Sequence, residues 1–97
     1  MAFVQMIMYS TSKPNEMQAA VEEWEAATEG KRTVVRRVLC EDRAVWGRYI
    51  DIVFFDSHEA AMENSALPET EALSATMRRL ADGPPTYYDL DVLDDRG

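Results

Sequence analysis

His58 is the one imidazole in the chain, and so the one side chain whose unperturbed pKa lies near neutrality. It could take a proton from a phenolic substrate or return one. It also sits in Asp56-Ser57-His58-Glu59, a helix start in which a histidine can simply be a solvated surface residue. A second set of candidates is aromatic. Trp24, Trp46, Tyr49, Tyr87 and Tyr88 could wall a slot for a planar ring, by stacking and by area. A third set is charged: Arg36, Arg37 and Arg48, with Asp51, Asp89 and Asp91, fall on β-rich runs. They would form either the polar floor of a pocket or an ion-pair network at an interface, and the network is the favoured reading. Asn64 ends a short helical stretch and reads as a cap or as a polar contact to a ligand. The sequence thus nominates His58 as catalytic, and Trp46, Tyr49, Arg48, Asn64 and Tyr88 as substrate-binding. With no second His, and no Cys or carboxylate at ligand spacing, neither a metal nor another cofactor is expected.

Residues 49–70 are the densest structural signal among the elements that must hold these groups. Ile50, Ile52 and Phe54 alternate with Tyr49, Asp51, Val53 and Phe55, so branched and aromatic side chains occupy both faces of a central strand. Asp56 or Ser57 then caps a helix, and Asp56 with Glu59 has the spacing of a capping box. Pro68, followed by Glu69 and Glu71, opens a second helix with carboxylates at its positive end. Upstream, residues 3–10 predict a strand that is apolar on both faces. Met17, Ala20, Val21, Trp24 and Ala27 recur at helical spacing, and Gly30 stops that helix. Residues 33–40 and 45–55 predict two strands joined by a hairpin over residues 41–44, with Gly47 marking a bulge or a close approach. Leu73, Met77 and Leu80 mark the buried stripe of the second late helix. Asp82-Gly83-Pro84-Pro85 ends it, and residues 86–93 predict the last strand.

The order β-α-β-β-(αα)-β is the split βαβ, ferredoxin-like arrangement of an α+β domain: four antiparallel strands with helices on one face. Met6, Met8, Val21, Trp24, Ile50, Ile52, Phe54, Leu73, Met77, Leu80, Leu90 and Val92 are expected to be buried between sheet and helices. The other sheet face is also apolar, so two copies packing those faces into a barrel would cover it. A chain of 97 residues, 46% hydrophobic, allows one domain over residues 1–97. Its formal charge of -8 argues against nucleic-acid and membrane-surface partners, although residues 30–48 carry six basic against two acidic side chains. The single Cys40 rules out an internal disulfide and suits a reducing cytosol, with the thiol itself expected in the core. No basic leader or long apolar run opens the chain, so a cytoplasmic protein is expected.

Residues 55–70 (Phe-Asp-Ser-His-Glu-Ala-Ala-Met-Glu-Asn-Ser-Ala-Leu-Pro-Glu-Thr) and 85–92 (Pro-Thr-Tyr-Tyr-Asp-Leu-Asp-Val) resemble the antibiotic biosynthesis monooxygenase-like family of the dimeric α+β barrel superfamily. The resemblance covers nearly the whole chain. It implies a homodimer with a pocket in each subunit between sheet and helices. Members include cofactor-independent oxygenases of aromatic polyketides or quinols and haem-degrading enzymes. The haem-degrading branch has an Asn on the first strand, a Trp on the short helix and a His on the next. Here Gln5 stands on the first strand, with no Trp in residues 57–65 and no His in residues 68–82, which disfavours that activity. The function implied is a cofactor-independent monooxygenase-like reaction on a small aromatic or quinone-like molecule. The alternative is a non-catalytic ligand-binding or assembly module of the same fold.

Overall fold

A computed structural model describes residues 2–97. The chain runs β1 (Phe3–Ser10), α1 (Pro14–Ala27), β2 (Val34–Glu41), β3 (Arg48–Phe55), α2 (His58–Ala66), α3 (Pro68–Leu80) and β4 (Thr86–Asp91). The strands form one antiparallel sheet in the order β2-β3-β1-β4, and the helices lie on one of its faces. This is the ferredoxin-like α+β arrangement expected.

Local chemistry accounts for the element ends. Pro14 and Pro68 occupy the first turns of α1 and α3, where their fixed φ suits a helix and no N–H is missed. Ser57 caps α2, its hydroxyl accepting from the Ala60 N–H at 3.1 Å, so the cap is Ser57 and not the expected Asp56–Glu59 box. β3 begins at Arg48 rather than Val45, and Asp42–Gly47 form the longer loop that results. Gly47 has φ +79°, and a Cβ there would meet the Thr11 carbonyl oxygen at 3.5 Å. That distance is an ordinary contact, so it is the positive φ that calls for glycine, and the bulge lies in β2 between Val34 and Arg36.

Thr11 gathers three segments at this end of the sheet. Its N–H donates to the Gly47 carbonyl at 3.0 Å, and its hydroxyl donates to the Leu80 carbonyl at 2.8 Å. Beside it the Asp82 N–H donates to the Ser10 carbonyl at 2.7 Å. Thr11 is 2% exposed, so its own two bonds are shielded from water.

The two sheet faces are reversed relative to the expected core. Under the helices lie Phe3, Tyr9 and Phe55, with Ile7, Tyr49 and Val53 packed beside them. They meet Met17 of α1, Ala61 of α2, and Met77 and Leu80 of α3. Met6, Met8, Ile50, Ile52 and Phe54 alternate with these residues and so point to the helix-free face, where they are half-buried. Leu90, opposite Val4 on that face, is 42% exposed, and Val92 is half-buried beyond the end of β4. Cys40, expected in the core, is exposed. The helix stripes are as expected: Val21, Met77 and Leu80 are buried, and Trp24 and Leu73 half-buried.

Phe55 shows the energetic weight of the inner face. Phe55→Ala should cost about 3–5 kcal/mol, whereas Met62→Ala, on the exposed side of α2, should stay within about 0.5 kcal/mol. Equal losses in chemical denaturation would contradict the assignment of the faces.

Candidate functional site

Sheet and helices do not close fully on each other. Between them lies a cavity of about 490 Å³, within the range of small-molecule sites. Ile7, Val53, Phe55 and Val34 supply an apolar floor, Val21 and Trp24 a wall from α1, and Leu73 and Met77 a wall from α3.

Set into this apolar lining is a charged pair. Asp51 is 3% exposed, in the middle of β3. Leu39 stands opposite it on β2, so Arg37, two residues along, shares its face and reaches it diagonally. The guanidinium grips the carboxylate as a fork, Nε to Oδ1 at 2.8 Å and Nη2 to Oδ2 at 2.8 Å, the strongest geometry for such a pair. Burial pushes the Asp51 carboxyl above the ordinary carboxylate range, and the hydrogen bonds and charge of Arg37 offset this only in part.

Asn64 is the second polar feature of the lining. It is 6% exposed, its backbone carbonyl accepts from the Leu67 N–H at 3.3 Å, and its side-chain Oδ1 is buried without a donor among the described residues. An orphaned buried acceptor costs free energy unless something donates to it. Gln5 donates to Asp89 across the β1–β4 pair at 3.1 Å. Trp24 Nε1 donates to Thr70 Oγ1 at 3.0 Å, tying α1 to α3 over the cavity, and Lys31 and Glu69 pair at 2.8 Å outside that tie.

Of the residues nominated from sequence, Asn64 lines this cavity, as do Trp24 and Tyr87 of the aromatic set. Tyr49 adjoins it: stacked on Tyr9 with ring centroids 5.8 Å apart, it borders a small second hollow that shares Arg37. The others lie elsewhere. His58 opens α2 on the exposed surface, its ring tilted against Phe3 at 5.0 Å, and is not part of the cavity lining. Trp46 is 87% exposed in the β2–β3 loop, Arg48 pairs with Asp42 at 3.6 Å, and Tyr88, opposite Met6, lies on the helix-free face. Of the two readings of the charged set, Arg37 and Asp51 fit the polar pocket floor, while Arg36 turns outward over the Phe54 ring at 5.6 Å. The signal for the floor was present as a carboxylate between Ile50 and Ile52 and an arginine between Arg36 and Val38, two polar groups placed on one face of paired strands.

No family model and no curated protein sequence matches the chain. Solved structures do. A cofactor-independent oxygenase from Streptomyces nogalater, SnoaB, superposes with a TM-score of 0.80 at 16% identity, over 97% of this chain and 95% of its own. A Caulobacter crescentus protein named for the antibiotic biosynthesis monooxygenases gives 0.81 at 16% identity, over 96% and 91%. Rv0793 from Mycobacterium tuberculosis gives 0.81 at 15% identity over the full length of both chains. At such identities the likeness is one of fold, and the fold is the one the sequence resemblance implied.

Tyr9 makes the electrostatics of this region measurable without a ligand. Burial first, then the charge of Asp51, pushes its hydroxyl up to about 12, against the opposing pull of Arg37. A pKa raised in the folded state contributes stability that is fully present below the unfolded value near 10 and lost as pH rises towards 12. The wild-type domain should therefore lose up to about 2 kcal/mol across that interval through this residue, and Tyr9→Phe should lack this component in denaturation at graded alkaline pH.

Proposed function

We propose that this chain is a cofactor-independent oxygenase whose substrate is a small, flat phenol or quinol bound between sheet and helices. The observation that carries the reading is Asn64. A buried amide oxygen with no donor of its own, in a residue that lines the cavity with Trp24 and Phe55, suits an aromatic ligand that brings a hydroxyl hydrogen. Further support comes from the fold, shared with an oxygenase described as cofactor-independent, which is an argument by analogy and weighs as such.

The chemistry asks little of a protein. A phenol ionised in an apolar site delocalises its charge onto ring carbon, and that carbon can react directly with O2. When it is a CH2 group in the keto form, it loses two hydrogens and becomes a carbonyl. One oxygen atom stays in the product, the other leaves as water, and all the electrons come from the substrate. The protein needs to bind the ring, assist ionisation and keep water away. A cavity roofed by helices and floored by branched and aromatic side chains supports the first and last of these, and the Arg37 guanidinium in its lining favours an ionised ligand.

In the same reading the working molecule is a homodimer, joined through the helix-free sheet faces. Met6, Met8, Ile50, Ile52 and Phe54 present there a continuous apolar strip that the chain's own helices cannot reach. Its compartment is the cytosol, in which the free, exposed Cys40 stays reduced.

Oxygen uptake with a panel of phenols and hydroquinones tests the activity. One O2 should be consumed per product, and Asn64→Leu should weaken ligand binding about tenfold, the worth of one hydrogen bond. Tight binding without uptake would instead indicate a ligand-binding module, and unchanged binding in Asn64→Leu would remove the observation on which the reading stands. For the dimer, light scattering should give twice the chain mass, and Ile52→Asp should give monomers. A wild-type monomer would end the barrel arrangement.

A further inference from the structure

We propose that Asp51 is the base that ionises the ligand's hydroxyl, with Arg37 as its positioning partner. This rests on the reading of the cavity as a site for a phenol. Three observations carry it.

The first is the lone-pair count. Asp51 Oδ2 accepts from both Nε and Nη2 of Arg37, at 3.0 and 2.8 Å, whereas Oδ1 accepts only from Nε, at 2.8 Å. A carboxylate oxygen has two acceptor sites, so Oδ1 keeps one for a ligand in the cavity that Asp51 lines.

The second is charge conservation in an apolar place. The pair is buried on the Asp51 side, at 5% side-chain exposure, where an isolated charge would be costly. On transfer, the ligand's O–H bond breaks, the proton goes to Oδ1 and the electron pair stays on the ligand oxygen. The negative charge has then moved a few ångströms and still faces the same guanidinium, whose Nη1 makes no hydrogen bond among the described residues. No uncompensated charge appears at any point. Burial acts in the same direction, since it already disfavours the ionised carboxyl.

The third is the lack of a competing base at this depth. Glu71, the other carboxylate of the lining, is exposed on α3. Tyr9, held protonated beside Asp51, cannot accept the proton near neutral pH, and His58 stands outside the cavity. Arg78 and Tyr87 complete the ionisable lining, and neither brings a carboxylate or an imidazole.

Alizarin, a flat phenolic dye whose colour reports its ionisation, tests this at a pH below its own first ionisation in water. Bound to the wild-type protein it should show the phenolate colour with no proton released to an unbuffered solution. In protein labelled with ¹³C at aspartate carboxyls, one signal should move from the ionised to the protonated position. Asp51→Asn should bind the dye in its neutral colour. Arg37→Lys, which keeps the charge and loses the fork, should lower the phenolate fraction at fixed pH, a quantity that looser packing alone would not change. Neutral dye on the wild type, phenolate with a proton released to solvent, or phenolate retained in Asp51→Asn would each overturn the role of Asp51 and leave the cavity reading intact. The labelled wild type decides the matter if Asp51→Asn does not fold. No binding of the dye, or of the other phenols of the oxygen-uptake panel, would overturn the cavity reading, and this inference with it.

Discussion

The fork between Arg37 and Asp51 is the interaction on which the arrangement depends. A carboxylate buried in mid-strand is tolerable only with a partner that satisfies it geometrically. The diagonal reach from β2 to β3 provides that partner in the register observed. A one-residue slip of β2 that brings Val38 to the place of Arg37 would leave Asp51 beneath the helices unpaired, a cost of several kcal/mol, whereas the opposite slip would bring Arg36 there. The pair thus helps to set the strand register, and through it the face on which the helices settle. It also keeps that face from closing into a continuous apolar core, so a cavity persists where a leucine pair would have filled the space.

The consequence is a sheet whose two faces have exchanged their usual chemistry. The face beneath the chain's own helices carries Gln5, Arg37, Asp51 and Asp89 among its apolar residues, and the outward face carries a row of methionine, isoleucine and phenylalanine. A chain of this size cannot cover both. Its single helical layer is spent on the face that contains the site. The more apolar face is left uncovered by the chain's own helices, which is the physical basis of the dimer proposed above.

The same exchange explains what could be read from the sequence and what could not. Element order, the helix stripes through Val21, Met77 and Leu80, and the proline and glycine stops are local signals, and they were legible. The direction of each strand face is not local when both faces are apolar. Pattern reading sends the greasier set, Ile50, Ile52 and Phe54, towards the helices, because it counts hydrophobicity and has no means of anticipating a cavity. Once the faces are reversed, Tyr88 and Arg48 leave the site and Asp51 and Arg37 enter it. Asn64 was legible because it belongs to a helix whose position does not depend on that choice. His58 was attractive for its pKa alone, and a pKa says nothing about where a side chain points.

Thr11 has a dynamic consequence. It knots the β1–α1 turn, the β2–β3 loop and the end of α3 together at one pole of the sheet, whereas at the other pole the buried Thr28 bonds to Trp24, Lys31 and Arg32, within α1 and the turn after it, and to no residue of α2. There α2 rests on Ala61 against Phe3 and Phe55, and on the hydroxyl of Thr33 donating to the Ala60 carbonyl. Cooperative units of unequal stability open in order of their weakest attachments. The amides around Thr11 should thus exchange with solvent only when the whole domain unfolds, while those of α2 exchange through partial opening. The molecule is a clamp with a fixed pole and a yielding one, and Asn64 rides on the jaw that yields.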